Sequence, residues 1–229
     1  ILTPASEGGT GAYKKAKDLV IKNDWFFARQ FENKDNADIH EKTTGQEIYN
    51  DFKNIGLDYW VSGYGTGGTF TGVARVLREK LPNTKLVITE PDAAQLIGSN
   101  TKQERNDDGS ASNPHPEWNP HPIQGWTTDF IPLVLQESID NKYFDELIPV
   151  SGEQGIYWAN ELAKKEGIIT GVSGGSTFAI AAEIAKKAKK GSNILCMLPD
   201  TAERYMSSVL FDHIEEDMSK EERSISDSV

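Results

Sequence analysis

The segment Ser62-Gly-Tyr-Gly-Thr-Gly-Gly-Thr69 joins a predicted strand at residues 57–62 to a predicted helix at residues 69–81. At such a junction the free backbone N–H groups and the positive end of the helix dipole both point toward a bound anion. Glycines let the backbone approach that anion closely, because they carry no Cβ atom. The hydroxyls of Thr66 and Thr69 add further donors. The segment therefore predicts a phosphate-binding loop.

Apolar strands and helical segments alternate on both sides of this loop. Strands are predicted at residues 25–28, 57–62, 85–90, 146–150 and 193–198, and helices at residues 12–21, 45–52, 69–81, 152–165 and 176–190. This alternation predicts an α/β fold, a mostly parallel sheet with helices on both faces. The alternation stops between residues 99 and 129, where the polar segment 100–113 is predicted to be a surface excursion or disordered, and the acidic residues 213–229 are predicted to be a frayed terminus. The opening Ile1-Leu2-Thr3-Pro4 is typical of a strand that is leaving a sheet.

The composition of the 229-residue chain excludes several classes of protein. Acidic residues outnumber basic ones by 35 to 24, a net charge of −11, so nucleic acid is not expected as a partner. No run of 18 apolar residues is present, so no membrane partner is expected. The single cysteine, Cys196, excludes an intrachain disulfide and is predicted to be buried. His115 and His121 lack further ligands at metal-binding spacing, so no metal site is predicted.

Two further segments follow predicted strands. They are Gly171-Val-Ser-Gly-Gly-Ser176 and Leu198-Pro-Asp-Thr-Ala-Glu-Arg-Tyr205. Ligands of open α/β sheets bind at the carboxyl edge of the strands, which would place the Ser173 hydroxyl in the site. A helix-capping or turn serine is the alternative for Ser173.

The glycine loop allows two cofactor classes. Gly63, Gly65 and Gly68 satisfy the dinucleotide pattern G-x-G-x-x-G, and Glu90 lies 22 residues after Gly68, where a ribose-binding acid would stand. An NAD-dependent Rossmann enzyme is therefore one interpretation, and a nucleoside-binding methyltransferase shares much of the argument. The two threonines and the double glycine instead favour a terminal phosphate monoester, such as that of pyridoxal 5′-phosphate (PLP).

Several motifs, taken together and in order, resemble the cysteine synthase (O-acetylserine sulfhydrylase) family of PLP-dependent fold type II enzymes. They are Gln30-Phe-Glu-Asn33, His40-Glu-Lys-Thr-Thr-Gly45, Gly65-Thr-Gly-Gly-Thr69, Ile123-Gln-Gly-Trp126, Gly171-Val-Ser-Gly-Gly175 and Pro199-Asp-Thr-Ala-Glu-Arg-Tyr205. The resemblance covers the C-terminal portion of the family. It implies a tryptophan synthase β-like fold, with residues 1–24 ending a small mobile domain, residues 25–212 forming the large domain and residues 213–229 an acidic tail.

The resemblance also implies residue roles. Gly65, Thr66, Gly67, Gly68 and Thr69 would hold the PLP phosphate, Ser173 would face the pyridine nitrogen, and Gln30 and Gly125 would bind substrate. A neutral hydroxyl at the pyridine nitrogen would leave that nitrogen largely unprotonated. The Schiff-base lysine of the family would precede Ile1, so no catalytic residue is assigned in this chain, and the chain alone is expected to be inactive.

The implied reaction is a β-replacement that converts O-acetyl-L-serine and sulfide into L-cysteine and acetate. A homodimer and docking of the C-terminal tail of serine acetyltransferase are implied partners. Cystathionine β-synthase-type β-replacement, or a non-catalytic, lysine-less partner of serine acetyltransferase, are the alternatives. No signal-peptide pattern opens the chain, and we expect a cytoplasmic protein, with a plastid or mitochondrion as alternatives.

The segment Trp126-Thr-Thr-Asp129 departs from the family pattern, in which small residues follow Gly125. Bulk at this point is expected to reshape the substrate pocket.

Overall fold

Four parallel strands form one sheet at the centre of the computed structural model, which describes residues 1–215 and 217–228. The strands are β1 (Tyr59–Gly63), β2 (Lys85–Pro91), β3 (Glu146–Val150) and β4 (Ile194–Cys196), in the spatial order β3-β2-β1-β4. All the strand pairs are parallel, with Val61 opposite Val87 on one side and opposite Cys196 on the other. The predicted fold class is confirmed.

The described residues also form helices. They are α1 (Gly8–Asn23), α2 (Asp35–Lys42), α3 (Thr44–Phe52), α4 (Gly68–Lys80), α5 (Leu133–Asp140), α6 (Gly152–Glu166), α7 (Val172–Lys187) and α8 (Lys220–Ser226). Short 3₁₀ turns lie at Ala5–Glu7 and Ala202–Tyr205.

The pleat of the strands divides the core between the two faces of the sheet. Trp60 and Leu86 pack with Phe70 of α4 on one face, whereas Val61 and Val87 pack with Val172 of α7 on the other. Successive side chains of a strand point to opposite faces, so adjacent residues enter different clusters. The predicted apolar face of the 69–81 helix is confirmed, since Phe70, Val73, Ala74 and Leu77 are all buried.

Some predicted elements are wrong. Residues 25–28 form no strand, and Trp25 and Phe26 are 57% and 89% exposed, because no neighbouring strand pairs with them in the described part of the chain. The opening Ile1 and Leu2 are likewise exposed and outside any strand. The last predicted helix begins at Val172 instead of residue 176, and α2 and α5 were not predicted.

Three further expectations need adjustment. Cys196 is half-buried, because β4 forms one edge of the sheet, and this burial raises the pKa of its thiol to about 11. Of the two alternatives for residues 100–113, the structure shows the surface excursion, since these residues are mostly exposed or half-buried and an antiparallel bridge joins Arg105 to Ala111. The acidic tail contains helix α8, which begins with a capping box between Ser219 and Glu222.

Candidate functional site

The carboxyl ends of β1 and β4 lie side by side and border a cavity of about 210 Å³. Helix α4 packs on one face of the sheet and α6 and α7 on the other, so the chain changes face between these two neighbouring strands. Such a topological switch point leaves a crevice, which is the usual ligand site of open α/β sheets. Sheet topology alone therefore points to this cavity.

The structure brings most of the predicted site residues together. Gly65, Thr69, Gly125 and Ser173 all line the cavity, together with Ser62 and Gly63 at the end of β1. Thr66, Gly67 and Gly68 complete the loop between Gly65 and Thr69 and lead into α4. Gln30 does not line the cavity and is exposed.

The loop is shaped as a cradle against the start of α4. Gly67 caps this helix with φ = +85°, a conformation that glycine adopts readily. A Cβ atom on Gly65 would lie 2.3 Å from the carbonyl oxygen of Gly125, so the two loops meet where only glycine fits. The first N–H groups of an α-helix have no intrahelical acceptor and are available to an anion.

Helix α2 braces the loop through two side chains. The Asn36 Nδ2 atom donates to Thr66 Oγ1 at 2.8 Å and to the Gln30 carbonyl at 2.8 Å. His40 Nε2 lies 3.2 Å from Thr69 Oγ1, and its Nδ1 lies 2.9 Å from Thr44 Oγ1. Burial lowers the pKa of His40, which favours the neutral imidazole at neutral pH. Gln30 thus connects to the loop through its backbone.

Glu90 is unable to serve as a ribose ligand, because it is fully buried and its carboxylate is occupied. The carboxylate accepts hydrogen bonds from the Tyr64 hydroxyl at 2.7 Å, from Ile97 N at 3.1 Å and from Gly98 N at 2.9 Å. Burial raises the pKa of Glu90, while these donors lower it. The dinucleotide interpretation therefore loses the acid on which it depended.

Ser173 lies in the first turn of α7, beside the segment that follows β4. Ser173 is 3% exposed and lines the cavity. The neighbouring Thr177 hydroxyl lies 2.5 Å from the carbonyl oxygen of Met197, which fixes α7 against the end of β4. Asp200 and Tyr205 also line the cavity, and the Tyr205 hydroxyl donates to Asp200 Oδ2.

Trp126 forms a further wall of the cavity and is 8% exposed. A Cβ atom on Gly63 would lie 1.9 Å from Trp126 Cζ2, so the indole occupies the space that the missing side chain leaves. The bulky residue that follows Gly125, Trp126, thus faces the end of β1. Sequence reasoning did not assign site roles to Trp126, Asp200, Tyr205, Asn36 or His40, although Trp126 drew attention as a departure from the family pattern.

Comparison with known proteins identifies the family. The family model described as "Pyridoxal-phosphate dependent enzyme" matches residues 2–200. The chain belongs to this family. Its sheet, its helices and its resemblance to cysteine synthases all agree with PLP-dependent fold type II.

Two curated relatives show how near the similarity is. The chain is 38% identical over 216 residues to an O-ureido-L-serine synthase of Streptomyces lavendulae, covering 94% of this chain and 60% of that protein. It is 36% identical over 211 residues to a cysteine synthase of Staphylococcus aureus, covering 92% and 62%. The chain thus spans about three fifths of the length of these relatives.

Solved structures of similar enzymes match the fold of this chain. A crystal structure of O-ureido-L-serine synthase matches with a TM-score of 0.85 at 37% identity, covering 98% of this chain and 65% of that one. An O-acetylserine-dependent cystathionine β-synthase from Helicobacter pylori matches with a TM-score of 0.78 at 35% identity, covering 92% and 62%.

The cavity fits the cofactor of this family. The glycine cradle at Gly65 and the helix start at Gly68 suit a phosphate group, and Ser173 presents a hydroxyl to the same cavity. Within residues 1–215 and 217–228, no group of three or more His, Cys, Asp or Glu residues could hold a metal ion. In the same described part of the chain, no helix has the length and apolar character to span a membrane.

Proposed function

We propose that this protein binds PLP in the cavity between β1 and β4 and carries out β-replacement on an O-activated L-serine. The proposed reaction is that of a cysteine synthase, which converts O-acetyl-L-serine and sulfide into L-cysteine and acetate. The observation that carries the proposal is the glycine loop at the start of α4, which opens onto the same cavity as Ser173 and Gly125. Bound PLP supplies an electron sink that weakens the Cα–H bond of an amino acid and lets its β-substituent leave.

The residues of this chain would bind and orient the cofactor and the amino acid substrate. Gly65 to Thr69 and the N-terminus of α4 would hold the phosphate, with Asn36 and His40 fixing the two threonine hydroxyls. Ser173 would contact the pyridine ring. Gly125 would face the amino acid substrate, and Trp126 would exclude water from the side of the cavity next to Gly63.

Gln30 has a weaker place in this proposal. Its residue is exposed and outside the cavity lining, and its backbone carbonyl accepts from the same Asn36 amide that holds Thr66. A role in binding the substrate carboxylate would require its side chain to turn toward the loop when substrate enters.

The nucleophile distinguishes the reactions of the relatives. Sulfide would give cysteine and homocysteine would give cystathionine, while hydroxyurea would supply the group named in O-ureido-L-serine synthase. Trp126 is the reason to include hydroxyurea in the test, since its indole forms a bulky wall of the cavity beside Gly63.

The experiment uses a protein that also contains the segment expected before Ile1, which would carry the Schiff-base lysine. It measures PLP binding by absorbance after dialysis, then product formation from O-acetyl-L-serine with each of the three nucleophiles. The proposal predicts PLP retention and formation of cysteine with sulfide. Binding of PLP without product from any nucleophile would contradict β-replacement and support the non-catalytic alternative. Thermal stabilisation by NAD but not by PLP would contradict the cofactor.

A homodimer, docking of a serine acetyltransferase tail and a cytoplasmic location remain part of the proposal. Sedimentation velocity with and without a peptide of the acetyltransferase tail tests the first two.

A further inference from the structure

A buried carboxylate joins the start of helix α1 to the loop that borders the cavity. Asp129 is buried, and both oxygens of its carboxylate accept from the backbone N–H of Thr10, at 3.0 and 3.1 Å. A Cβ atom on Gly8 would lie 2.9 Å from one of these oxygens, and a Cβ atom on Gly9 would lie 2.8 Å from the other. The first turn of α1 therefore approaches the carboxylate where two glycines leave room for it.

This contact satisfies backbone groups at the start of α1. The first N–H groups of an α-helix have no intrahelical acceptor, and the positive end of the helix dipole attracts an anion. The N-cap residue of α1 is Glu7, which makes no side-chain cap hydrogen bond with the described residues. The carboxylate at the start of α1 is thus supplied by Asp129, 119 positions away from Thr10 in the chain.

The loop that carries Asp129 also forms part of the cavity wall. Gly125 and Trp126 line the cavity, and Asp129 follows them by four and three positions. Between them Thr127 has φ = +40°, a strained conformation for a residue with a side chain, which persists only where its surroundings hold it. The Thr127 N–H donates to the carbonyl of Tyr64 at 2.9 Å. If Asp129 were undocked from α1, Thr127 would be free to relax, and the cavity wall would move with it.

Helix α1 itself lies outside the cavity. Among the described residues that line the cavity, none belongs to α1. A ligand in the cavity therefore reaches α1 only through the loop 125–129, and any effect of the ligand on the start of α1 reports on that loop.

We propose that Asp129 is a positioning residue, which fixes the loop 125–129 by docking it on the start of α1 and so couples α1 to ligand binding in the cavity. The inference rests on the proposed PLP site and goes beyond the residues that contact the cofactor. Coupling of this kind is reciprocal, so the factor by which the docked helix raises ligand affinity is also the factor by which the ligand favours docking.

The test measures hydrogen exchange and ligand binding in the cofactor-free protein that also contains the segment expected before Ile1. The ligand is 4′-deoxypyridoxine 5′-phosphate, which keeps the ring and the phosphate of the cofactor but has no aldehyde to react with lysines. In the unmodified protein, we expect this ligand to slow exchange of the Thr10 amide.

Asp129→Asn keeps the size of the side chain and removes its charge. It should speed amide exchange of residues 125–127 without ligand and abolish the effect of the ligand on Thr10. It should also weaken ligand binding about tenfold, as is typical of coupling between sites. Inorganic phosphate, which would contact only the glycine loop 65–69, should bind as in the unmodified protein.

Two further variants separate the contact from the helix. Asp18→Asn is the matched control, because Asp18 is an exposed carboxylate of the same helix, and it should change none of these measurements. Gly9→Ala should reproduce the effects of Asp129→Asn, because the added Cβ would displace the carboxylate of Asp129. Alanine is a better helix former than glycine, so weaker helix formation would not explain such a result.

The outcomes distinguish this inference from the proposed function. Faster exchange confined to residues 8–11 in Asp129→Asn, with residues 125–127 and ligand affinity unchanged, would overturn the positioning role and leave Asp129 as a helix cap alone. If Asp129→Asn does not fold, Gly9→Ala gives the same comparison. Failure of the unmodified protein to bind the ligand would contradict the proposed function, while exchange of residues 125–127 would still decide the role of Asp129.

Discussion

At the scale of single residues, Gly63 and Trp126 share one space in the cavity wall. Gly63→Ala would place a methyl group 1.9 Å from the present position of Trp126 Cζ2, so the indole must move. Overpacking of this kind costs about 1–3 kcal/mol of unfolding free energy. We expect Gly63→Ala to lose that amount in urea unfolding and to weaken PLP binding.

The double variant Gly63→Ala/Trp126→Ala provides the control for this pair. Removing the indole leaves room for the added methyl group, so the two changes together should cost less than the sum of the single changes. If the double variant loses as much unfolding free energy as the two single variants together, the contact between residue 63 and Trp126 is not the cause of the loss in Gly63→Ala.

The buried pair Tyr64–Glu90 makes a pH-dependent contribution. Tyr64→Phe removes a donor that lowers the pKa of Glu90, so burial raises the folded-state pKa further. Near pH 4 Glu90 is largely protonated in both the folded and unfolded states, and its ionisation contributes little to the difference between variants. As the pH rises above the unfolded value of about 4.3, the variant loses stability relative to the unmodified chain.

We therefore expect Tyr64→Phe to lose about 1–3 kcal/mol at pH 7 and less at pH 4, measured by urea unfolding at both values. Tyr157→Phe is the control, because Tyr157 is 56% exposed, and it should stay within about 0.5 kcal/mol of the unmodified chain. An equal loss for Tyr64→Phe at both pH values would contradict the role of Glu90.

At the scale of secondary structure, Arg75 ties α4 to the helices beside it. Its guanidinium pairs with Glu137 of α5 at 2.5 Å and with Asp38 and Glu41 of α2 at 2.8 Å each. Because α2 carries Asn36 and His40, this network also supports the braces of the glycine loop.

Arg75→Ala should cost about 1–3 kcal/mol of unfolding free energy, between the values for exposed and buried ion pairs. It should also weaken inorganic phosphate binding, because α2 is then less firmly held against the loop. Lys165→Ala is the control, since the exposed Lys165 pairs with Glu161 of its own helix, α6. Similar small effects of both variants on stability and phosphate binding would refute this account of α2.

The elements that were predicted correctly are those whose pattern is local. Local sequence alone is enough to recognise the apolar runs of β1, β2 and β3 and the apolar face of α4. Helix α2 was missed because its sequence Asp-Asn-Ala-Asp-Ile-His-Glu-Lys is mostly polar, and its burial comes from Ala37 against α4. The strand predicted at residues 25–28 is wrong for the opposite reason, since its aromatic residues suit a strand but no neighbouring strand within the described residues pairs with them.

The same distinction holds for the site. The glycine loop and Ser173 were predictable, because each follows a recognisable strand and opens a helix. The Tyr64–Glu90 pair and the Asn36 brace join residues 26 and 30 positions apart, and no periodicity marks them. Asp200 lies within one of the sequence motifs, but only the fold shows that the described residues give its Oδ1 atom no hydrogen-bond partner.

At the scale of the whole molecule, distant segments meet in one cavity. Its wall comes from the end of β1, the Gly125 loop, the start of α7 and the segment after β4, so the cavity exists only in the folded chain. A ligand that binds only the folded state stabilises it, by about 2.7 kcal/mol at a concentration of 100 times Kd. Binding of PLP should therefore raise the melting temperature, and to a smaller extent in the Gly63→Ala variant.

The central claim is that the cavity between β1 and β4 holds PLP. The most direct measurement is the electron density of crystals soaked with PLP. We predict phosphate density at the start of α4, enclosed by residues 65–69, and ring density between Gly125 and Ser173. Phosphate density at another helix, or a cavity without ligand density at saturating PLP, would contradict the account.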